Sequence, residues 1–491
     1  MFIKIKNTAK HTLIYALGNM SAKLVGFVLL PIYTKNIPLA AYGMLGLMEM
    51  IDLLASHLFS MGLHQALLRW YGLTDEEKRK KSYIFTIHVF LLLYCALGFI
   101  AVLFSRESLS TVLFNDSQYG YYFILLFLAT TFNILNKTPL TLLRLEEKSF
   151  TYTISITFQF CVSLVLNIFF VAFLKMGVAG ILMAQMIAAG IILIVLIPYL
   201  IRRMIFQLDM AELKKMIIFS YPFIFAAVGA TALNLGNRYL LKVLGTLEDV
   251  GVYTLAFKFS NFIKLFIVDA LGLGLPVIGW QVVKQDDNPK RFLSKVLTYF
   301  FFILCWSGLA LSSISKEIVH AFALNRAYWA ASTIIPLLTL SVILIGCYRV
   351  LYFALQIPQK TQWIPVLLGL AAVVNILLNI WFIPLWGVFG SAIAIVLASM
   401  FLLLITYWSV QKIYPITFEL KRLTTLLLVA IIIYFITTLM NDWQLSMKII
   451  GKGLLVLSFP FVLYSLHFYE PIELERIQGS LKKWRKKLLK I

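Results

Sequence analysis

A series of long apolar runs is the feature that most restricts how this chain can fold. Each run has roughly 20 residues, which is about the length needed to cross the hydrocarbon core of a bilayer as a helix. A soluble chain of 491 residues would carry far more than 13% charged residues on its surface. We therefore expect an all-α integral membrane protein that crosses the bilayer many times.

The apolar runs predict about 14 transmembrane helices. They begin near Thr12, Ala41, Ser82, Tyr119, Thr151, Gly177, Met216, Val250, Phe292, Tyr328, Thr361, Gly387, Arg422 and Met447. The first run is too long for a signal-peptide core and has no small-residue cleavage pattern after it, so we expect it to remain as a span.

The basic residues between the runs predict the orientation. Alternate loops, together with both termini, contain 29 lysines and arginines, and the opposite loops contain seven. Positively charged loops stay on the cytosolic side, so both termini are predicted to be cytosolic. The same bias accounts for most of the net charge of +21, so no nucleic-acid partner is needed to explain it.

The sequence contains signs of an internal duplication. The segment LAAYGMLGL from Leu39 resembles LEDVGVYTL from Leu247 at an offset of 208, and LNIFF from Leu166 resembles LNIWF from Leu378 at an offset of 212. GVAG at Gly177 matches GVFG at an offset of 210. Shared membrane composition is the alternative explanation, and the sequence leaves it open. A true duplication with six spans per copy predicts two parallel six-helix bundles around a central cavity.

This reading divides the chain into a first six-helix bundle at residues 1–208, a second at 209–414, an additional helix pair at 415–468 and a tail at 469–491. The tail combines apolar residues at helical spacing with a lysine-rich opposite face, which predicts a basic amphipathic helix on the cytosolic membrane surface. The stretch from Asp209 to Lys215 is predicted to form a short helix between the bundles, with Asp209 as its cap.

Ten charged residues lie inside the predicted spans, where a charge costs on the order of 3 kcal/mol on insertion scales. They are Lys23, Lys137, Arg238, Lys258, Lys264, Arg349 and Lys452 and the acids Glu49, Asp52 and Asp269. Their sum is +4, so they cannot all pair with one another. Arg238, Arg349, Lys137 and Lys452 lie near enough to span ends that reaching the interface is an alternative for each.

Helical geometry groups several of these residues on common faces. At about 100° per residue, Lys258, Asn261, Lys264 and Asp269 fall within roughly 140° of one another, and Asn19 lies one turn from Lys23. Glu49 and Asp52 share a face with Ser56 and Ser60. Such polar stripes must point into protein or water. One interpretation is a network of buried ion pairs, such as Lys23 with Asp52. The other is a water-filled cavity that receives an anion, which the surplus of positive charge favours.

Several segments resemble a known family. They are ALGNMSAKLVGFVLLPIYTKNIPLAAYGMLGL near the start, GLHQALLRWY from Gly62 and NRYLLKVLGTLEDVGVYTLAFKF from Asn237. With the order of spans, they resemble the polysaccharide repeat-unit flippases of the Wzx type, which serve O-antigen and capsule synthesis. That family belongs to the multidrug/oligosaccharidyl-lipid/polysaccharide (MOP) exporter superfamily, together with the lipid II flippase and the MATE exporters. The motifs Gly18-Asn19, Pro31-x-Tyr33-Thr34, Tyr42-Gly43 and Asn237-Arg238 are degenerate, so they indicate the superfamily better than the substrate.

The resemblance implies a multi-pass protein of the bacterial cytoplasmic membrane with a MATE-like fold. It would move an oligosaccharide linked to undecaprenyl diphosphate from the inner to the outer leaflet by alternating access. Its partners would be this lipid-linked substrate, membrane lipids, a glycan polymerase and glycosyltransferases. No cofactor is expected, and coupling could come from a proton or sodium gradient or from the membrane potential.

The candidate site residues are selected by their depth within a predicted span and by the helix face on which they lie, and not by the resemblance. The substrate-binding candidates form a cationic cavity of Lys23, Arg238, Lys258, Lys264, Arg349, Asn19 and Asn261. Glu49, Asp52 and Asp269 are candidates for ion coupling. Four cysteines at no metal-ligand spacing predict no metal site.

Two rival functions remain open at this stage. A MATE-like cation-coupled exporter of small organic molecules would have the same fold, but its cavity should be acidic rather than basic. A membrane enzyme that builds glycans usually needs large loops or a soluble domain, whereas the longest outer loops predicted here have only about a dozen residues. The carboxylate pairs Glu146-Glu147 and Asp286-Asp287 are predicted to be solvated in cytosolic loops, so we expect no enzymatic activity.

Overall fold

The computed structural model describes residues 27–285, 288–358, 363–471 and 473–475. Over these residues the chain is helical and contains no strand. Most of the predicted first span, including Asn19 and Lys23, lies outside the described residues, as does the tail beyond Glu475. The all-α membrane architecture predicted from the sequence is confirmed.

The helices are numbered here in chain order. Those up to the middle of the chain are α1 Leu30–Asn36, α2 Leu39–Ser60, α3 Leu63–Leu73, α4 Glu77–Phe114, α5 Gly120–Leu145, α6 Ser149–Asn167, α7 Gly177–Ile201 and α8 Met210–Leu244. The later ones are α9 Leu247–Ile263, α10 Asp269–Gln285, α11 Pro289–Ser313, α12 Ser315–Phe322, α13 Ala331–Gln356, α14 Trp363–Ile413, α15 Leu420–Leu439 and α16 Leu445–Ser465. Two π-helical turns, Ile168–Phe173 and Lys264–Val268, extend α6 and connect α9 to α10.

Among the described residues, 12 helical stretches are long and apolar enough to cross a membrane. The predicted spans beginning near Thr361 and Gly387 form one 51-residue stretch, α14, with a sharp change of direction at Gly387. The exact number of 14 spans therefore stays a prediction. Many apolar side chains on these stretches point outward, such as Phe104 and Leu93, which are 87% and 64% exposed. An apolar surface of this kind suits lipid rather than water.

The chain forms two compact units. The first takes its described residues from Met1–Leu255, His320–Ala331 and Leu368–Ala394. The second takes them from Ala256–Val319, Ser332–Leu367 and Ile395–Ile491. Both units draw on distant parts of the sequence, and their limits differ from the domain borders at residues 208 and 414, which stay a prediction.

The start of α8 matches the sequence expectation only in part. Asp209 caps the helix, since its Oδ1 accepts a hydrogen bond of 3.0 Å from the backbone N–H of Glu212. The prediction of a short separate helix from Asp209 to Lys215 is wrong, because α8 continues unbroken for 35 residues to Leu244. Pro222 lies within α8 and does not end it.

Two glycines of the proposed repeat allow α2 and the start of α9 to approach closely within the first unit. A Cβ atom added to Gly43 would overlap the carbonyl oxygen of Leu247, and one added to Gly251 would overlap that of Leu39. Gly43 and Leu39 correspond to Gly251 and Leu247 at the same offset of 208. Each copy therefore makes the same contact with the other, as expected for two elements related by approximate twofold symmetry.

The second pair of matched segments also folds alike. Gly177 and Gly387 both adopt positive φ angles, of 58° and 54°, which residues with a side chain rarely adopt. Three residues later, Gly180 lies against Phe170 and Gly390 against Phe382, so closely that a Cβ would crowd either phenylalanine. Shared composition alone would not produce similar φ angles and similar glycine–phenylalanine contacts at matched positions. We therefore interpret the segments as copies of one element.

This close approach predicts a difference between glycine positions. We expect Gly43→Ala or Gly251→Ala to reduce the free energy of unfolding by about 1–3 kcal/mol, because backbone atoms cannot move aside as a side chain can. Gly236→Ala, at an open position of α8 with no atom within 4 Å of the added Cβ, should be neutral or stabilising by about 0.5–1 kcal/mol. Melting temperatures of the detergent-solubilised proteins measure the difference. Equal melting temperatures for the Gly43 and Gly236 variants would contradict the contact.

An ionic cluster joins the ends of α5 and α7 in the first unit. Arg203 donates from Nη2 to Oε2 of Glu146 at 2.8 Å and from Nε to the other carboxylate oxygen, and Lys148 lies 2.7 Å from Glu146. The guanidinium also stacks over the Tyr199 ring. Partial burial acts to raise the pKa of Glu146, but the hydrogen bonds from Arg203 and Lys148 outweigh it and lower this pKa to about 2.

The depressed pKa of Glu146 predicts a pH dependence of stability. The stabilisation is present above the carboxyl pKa of the unfolded chain, near 4.3, and is lost as the pH falls towards 2. We expect Glu146→Gln to lower the free energy of unfolding at pH 7 by on the order of 1 kcal/mol, since part-exposed ion pairs are screened by water. Below about pH 2 the variant and the wild type should converge, because the carboxyl group is then protonated in the folded chain as well as in the unfolded chain. Melting curves across this range test the prediction, with Glu147→Gln as the neighbouring control. A difference that is constant with pH would count against it.

In the second unit, a similar cluster holds the start of the C-terminal tail. Lys295 of α11 lies 2.6 Å from Glu419 and also contacts Glu470, while Arg422 of α15 lies 2.9 Å from Glu473. These contacts fix the described part of the tail against α11 and α15. The predicted basic amphipathic helix lies mostly outside the described residues.

Candidate functional site

The second unit contains a cluster of charges inside an otherwise apolar span. Lys264 Nζ lies 3.6 Å from one carboxylate oxygen of Asp269, and Arg349 Nη2 lies 3.7 Å from the other. The side chains of Lys264, Asp269 and Arg349 are 25%, 32% and 41% exposed. One carboxylate thus faces two cations at ionic but not hydrogen-bonding distances. All three side chains are accessible to water.

A π-helical turn creates the contact between Lys264 and Asp269. In a regular α-helix, residues five apart point about 140° away from each other. Here the backbone N–H of Asp269 bonds to the carbonyl of Lys264, which is the i to i+5 pattern of a π-helix and places the two side chains on one side. Single π turns inside α-helices often occur at functional sites.

Gly272 lies beside the Arg349 guanidinium group, close to this turn. A Cβ at Gly272, almost one turn beyond Asp269, would lie 3.5 Å from Nη1 of Arg349. Lys258 and Asn261 of α9 precede the π turn and are partly buried. Lys264, Arg349 and Asp269 carry two positive charges and one negative charge, which leaves +1. We call these three residues, with Lys258 and Asn261 of the same unit, the cationic cluster.

The first unit contains a second group of polar residues along one face of α2. Arg238 of α8 donates from Nη1 to the carbonyl of Gly46 at 2.9 Å and lies 3.2 Å from Glu49, with its own side chain only 3% exposed. Thr130 of α5 donates to Asp52. One turn further along α2, Lys137 of α5 donates to Ser56 at 2.9 Å. Each of these polar side chains on α2 therefore has a partner on a neighbouring helix.

Glu49 and Asp52 also line a cavity of about 240 Å³ in the first unit. Gln185 adds an amide to the wall, and Leu45, Met48 and Leu126 complete much of the rest. Carboxylate and amide oxygens around a cavity of this size can accept a proton or a small hydrated cation. Arg238 already neutralises Glu49, whereas the carboxylate of Asp52 accepts its hydrogen bond from a neutral hydroxyl group.

A buried asparagine cluster in the first unit was missed by the sequence analysis. Asn237 donates to the Tyr253 hydroxyl at 3.0 Å and accepts from Asn375 at 2.6 Å and Asn379 at 3.3 Å. Ser391 in turn donates to Asn379 at 2.8 Å. The signal was present, since Asn375 and Asn379 are one turn apart in an apolar run, where polar groups must find partners inside the protein.

The candidate residues therefore separate into different environments. Lys264, Asp269 and Arg349 come together, with Lys258 and Asn261 in the same unit. Glu49 and Asp52 line the cavity of the first unit. Arg238 is buried and bonded to α2, and Asn19 and Lys23 lie outside the described residues. Their assignment to substrate or coupling ion stays a prediction.

The fold defines a multi-pass membrane protein that carries charged residues inside its helices. Residues 8–279 match the model of the family described as polysaccharide biosynthesis protein, and the chain belongs to that family. No curated protein matches the sequence.

Solved structures share the fold at low sequence identity. A lipid II flippase, MurJ, in an inward closed conformation superposes with a TM-score of 0.77 and 15% identity, covering 93% of this chain and all of that one. An inward-facing multidrug resistance MATE transporter of the MOP superfamily gives 0.66 and 14%, over 82% of this chain and 95% of that one. The Vibrio cholerae MATE transporter VcmN in its bent form gives 0.53 and 14%, over 86% of this chain and 98% of that one.

The two arginines of the candidate set predict different effects on stability. Arg238→Met should lower the free energy of unfolding by about 2–3 kcal/mol, since it removes a buried partner of Glu49 and of a backbone carbonyl. Arg349→Met should change it by less than about 1 kcal/mol, because that side chain is part exposed and its ionic contact is long. Melting temperatures and the yield of folded protein after extraction distinguish the two. A larger loss for Arg349→Met would reverse our assignment of their roles.

Proposed function

We propose that this protein is a flippase that moves undecaprenyl-diphosphate-linked oligosaccharide repeat units from the inner to the outer leaflet of the bacterial cytoplasmic membrane. The observation that carries the proposal is the cationic cluster, where Lys264 and Arg349 share one carboxylate and leave a surplus of positive charge. Membership of the polysaccharide biosynthesis family and a fold like that of the lipid II flippase support it.

The chemistry of such a substrate matches the cluster. The diphosphate carries negative charge that the bilayer core does not accept, and surplus cations inside a span need an anion for the same reason. Arg349 can bond two phosphate oxygens at once, while Lys264 acts as a compact charge. Asn261 offers an amide to sugar hydroxyls. The long ionic contacts of Asp269 allow a phosphate to take over the two cations, with the carboxylate holding them in place between substrates.

Movement of the head group requires the binding region to open to each side in turn. The excess of basic residues in alternate loops supports a cytosolic position for both termini. The carboxylates in the cavity of the first unit, Asp52 above all, are our candidates for coupling to a proton or sodium gradient. A glycan polymerase and glycosyltransferases would be the partners on either side of this step.

The rival function is a MATE-like export of organic cations, which the shared fold also supports. Such a substrate would need a surplus of carboxylate around it. The cationic cluster has the opposite charge balance, and in the first unit Glu49 is already neutralised by Arg238. Charge therefore favours the anionic lipid-linked substrate.

Loss of either cation should abolish transport but not folding. In a strain that lacks its own flippase for the same glycan, we expect Lys264→Ala and Arg349→Ala to reduce surface glycan at least tenfold at equal membrane abundance, because charge-assisted phosphate contacts are strong. Lys264→Arg should retain much of the activity. Lys175→Ala, which removes an exposed lysine from the first unit, is the charge-matched control.

A binding measurement on the purified protein completes this test. Saturable binding of the undecaprenyl-diphosphate-linked oligosaccharide, lost in the Lys264 and Arg349 variants, is the expected result. Full glycan display by both variants would contradict the role of the cluster. Saturable binding of organic cations alone would favour the exporter.

A further inference from the structure

A small polar pocket lies at one end of the second unit, apart from the residues of the cationic cluster. It has a volume of about 70 Å³ and is formed where α11 and α15 end and where α12, α13 and α16 begin. Hydroxyl groups dominate its wall, and two lysines reach it. The residues that define it are Ser312, Ser313, Ser315, Thr437, Lys316 and Lys452.

Lys452 is built into this pocket. Its side chain is only 2% exposed, and its Nζ donates to Glu317 at 3.0 Å and to the Asn441 side chain at 2.9 Å. Lys448 lies 3.0 Å from the same oxygen of Glu317. Partial burial acts to raise the pKa of Glu317, but the hydrogen bonds from Lys452 and Lys448 lower it below its usual value, so this residue is ionised.

The charge balance around the pocket is positive. Lys316, Lys448 and Lys452 contribute three positive charges, and Glu317 contributes one negative charge, which leaves +2. Lys316 is exposed at the rim, where it can bend towards a ligand. Serine and threonine hydroxyls donate readily to phosphate oxygens. Cations with a ring of hydroxyl groups in a pocket of this size suit a phosphate group.

An apolar groove begins where the polar pocket ends. It has a volume of about 310 Å³ and shares Ser312 and Tyr434 with the pocket. Its wall comes from α11, α13 and α15 and includes Gly308, Leu309, Leu340, Ile343, Ala430 and Phe435. From Thr438 in the pocket to Leu427 in the groove, α15 spans 11 residues, or about 16 Å along its axis. Phe435 is 63% exposed, so the groove opens to the outside of the unit.

We propose that this pocket and groove together bind an anionic glycerophospholipid of the membrane. The phosphate occupies the polar pocket against Lys316 and Lys452, and one acyl chain runs along the groove towards the middle of the helices. The positive charge and the hydroxyl groups of the pocket favour an anionic head group. The apolar groove that adjoins the pocket favours a long hydrocarbon chain on the same ligand. This inference does not depend on the transported substrate, because none of the residues of the cationic cluster lines either part.

Native mass spectrometry of the detergent-solubilised, delipidated protein can test the proposal by titration with defined lipids. Phosphatidylglycerol should bind at one saturable site, whereas diacylglycerol, which lacks the phosphate, and inorganic phosphate, which lacks the chain, should bind at least tenfold more weakly. Lys316→Gln should weaken phosphatidylglycerol binding about tenfold, as expected for one charge-assisted hydrogen bond. Ala430→Trp, which fills the groove, should abolish it.

Matched controls separate these effects from general changes in the surface. Leu428→Trp places the same side chain on α15 at a position that is 58% exposed and outside the groove, and it should leave binding unchanged. Lys175→Gln removes a lysine from the first unit and should also have no effect. Neither Lys316 nor Ala430 is buried, so both test variants should keep the melting temperature of the wild type.

Three results would overturn the proposal. Equal affinity for phosphatidylglycerol and diacylglycerol would show that the pocket does not recognise phosphate. Unchanged binding in Ala430→Trp would place the lipid elsewhere. Displacement of phosphatidylglycerol by low concentrations of undecaprenyl phosphate, but not by other anionic phospholipids, would assign the groove to a polyprenyl chain instead.

Discussion

The cost of holding a charge among apolar helices is the constraint that organises this protein. Each charged side chain inside a span must have a counter-charge, a hydrogen-bond partner or access to water. Arg238 meets this requirement through Glu49 and the carbonyl of Gly46 within the first unit. Lys452 meets it through Glu317 and Asn441 within the second unit. These pairs fix which helices can lie together, because each partner comes from a different part of the chain.

The second requirement is close packing of helix backbones, which glycine residues at matched positions allow. Gly43 and Gly251 let α2 and the start of α9 approach until backbone meets backbone, and Gly177 and Gly387 both adopt positive φ angles. In lipid there is little hydrophobic force between helices, so such van der Waals contact becomes the main source of helix association. The same device in both copies explains why short, weak sequence matches survive at these positions.

The sequence predicted the all-helical membrane architecture and its repeat because apolar length and recurring glycines are local signals. It also selected Lys264, Asp269 and Arg349, since charge inside a span is rare. It could not predict that Lys264 and Asp269 meet, because a regular helix separates them and the π turn depends on backbone hydrogen bonds. Nor did it predict the burial of Arg238, or that the stretch from Asp209 to Lys215 continues into the following span as one helix, which depend on the packing of neighbouring helices.

Charge and exposure together distinguish two kinds of intramembrane residue. A cation that is buried and held by short bonds, as Arg238 is, stabilises one arrangement of helices, and a ligand would have to break existing bonds to reach it. A cation that is part exposed and shares its counter-charge, as Lys264 and Arg349 do, is held in place by one carboxylate but keeps donors for an anion. Only the second kind can exchange partners without unfolding the unit. The proposed transport of an anionic head group would require such exchange at every cycle, and the long contacts of Asp269, rather than the short ones of Glu49, therefore suit the proposed substrate site.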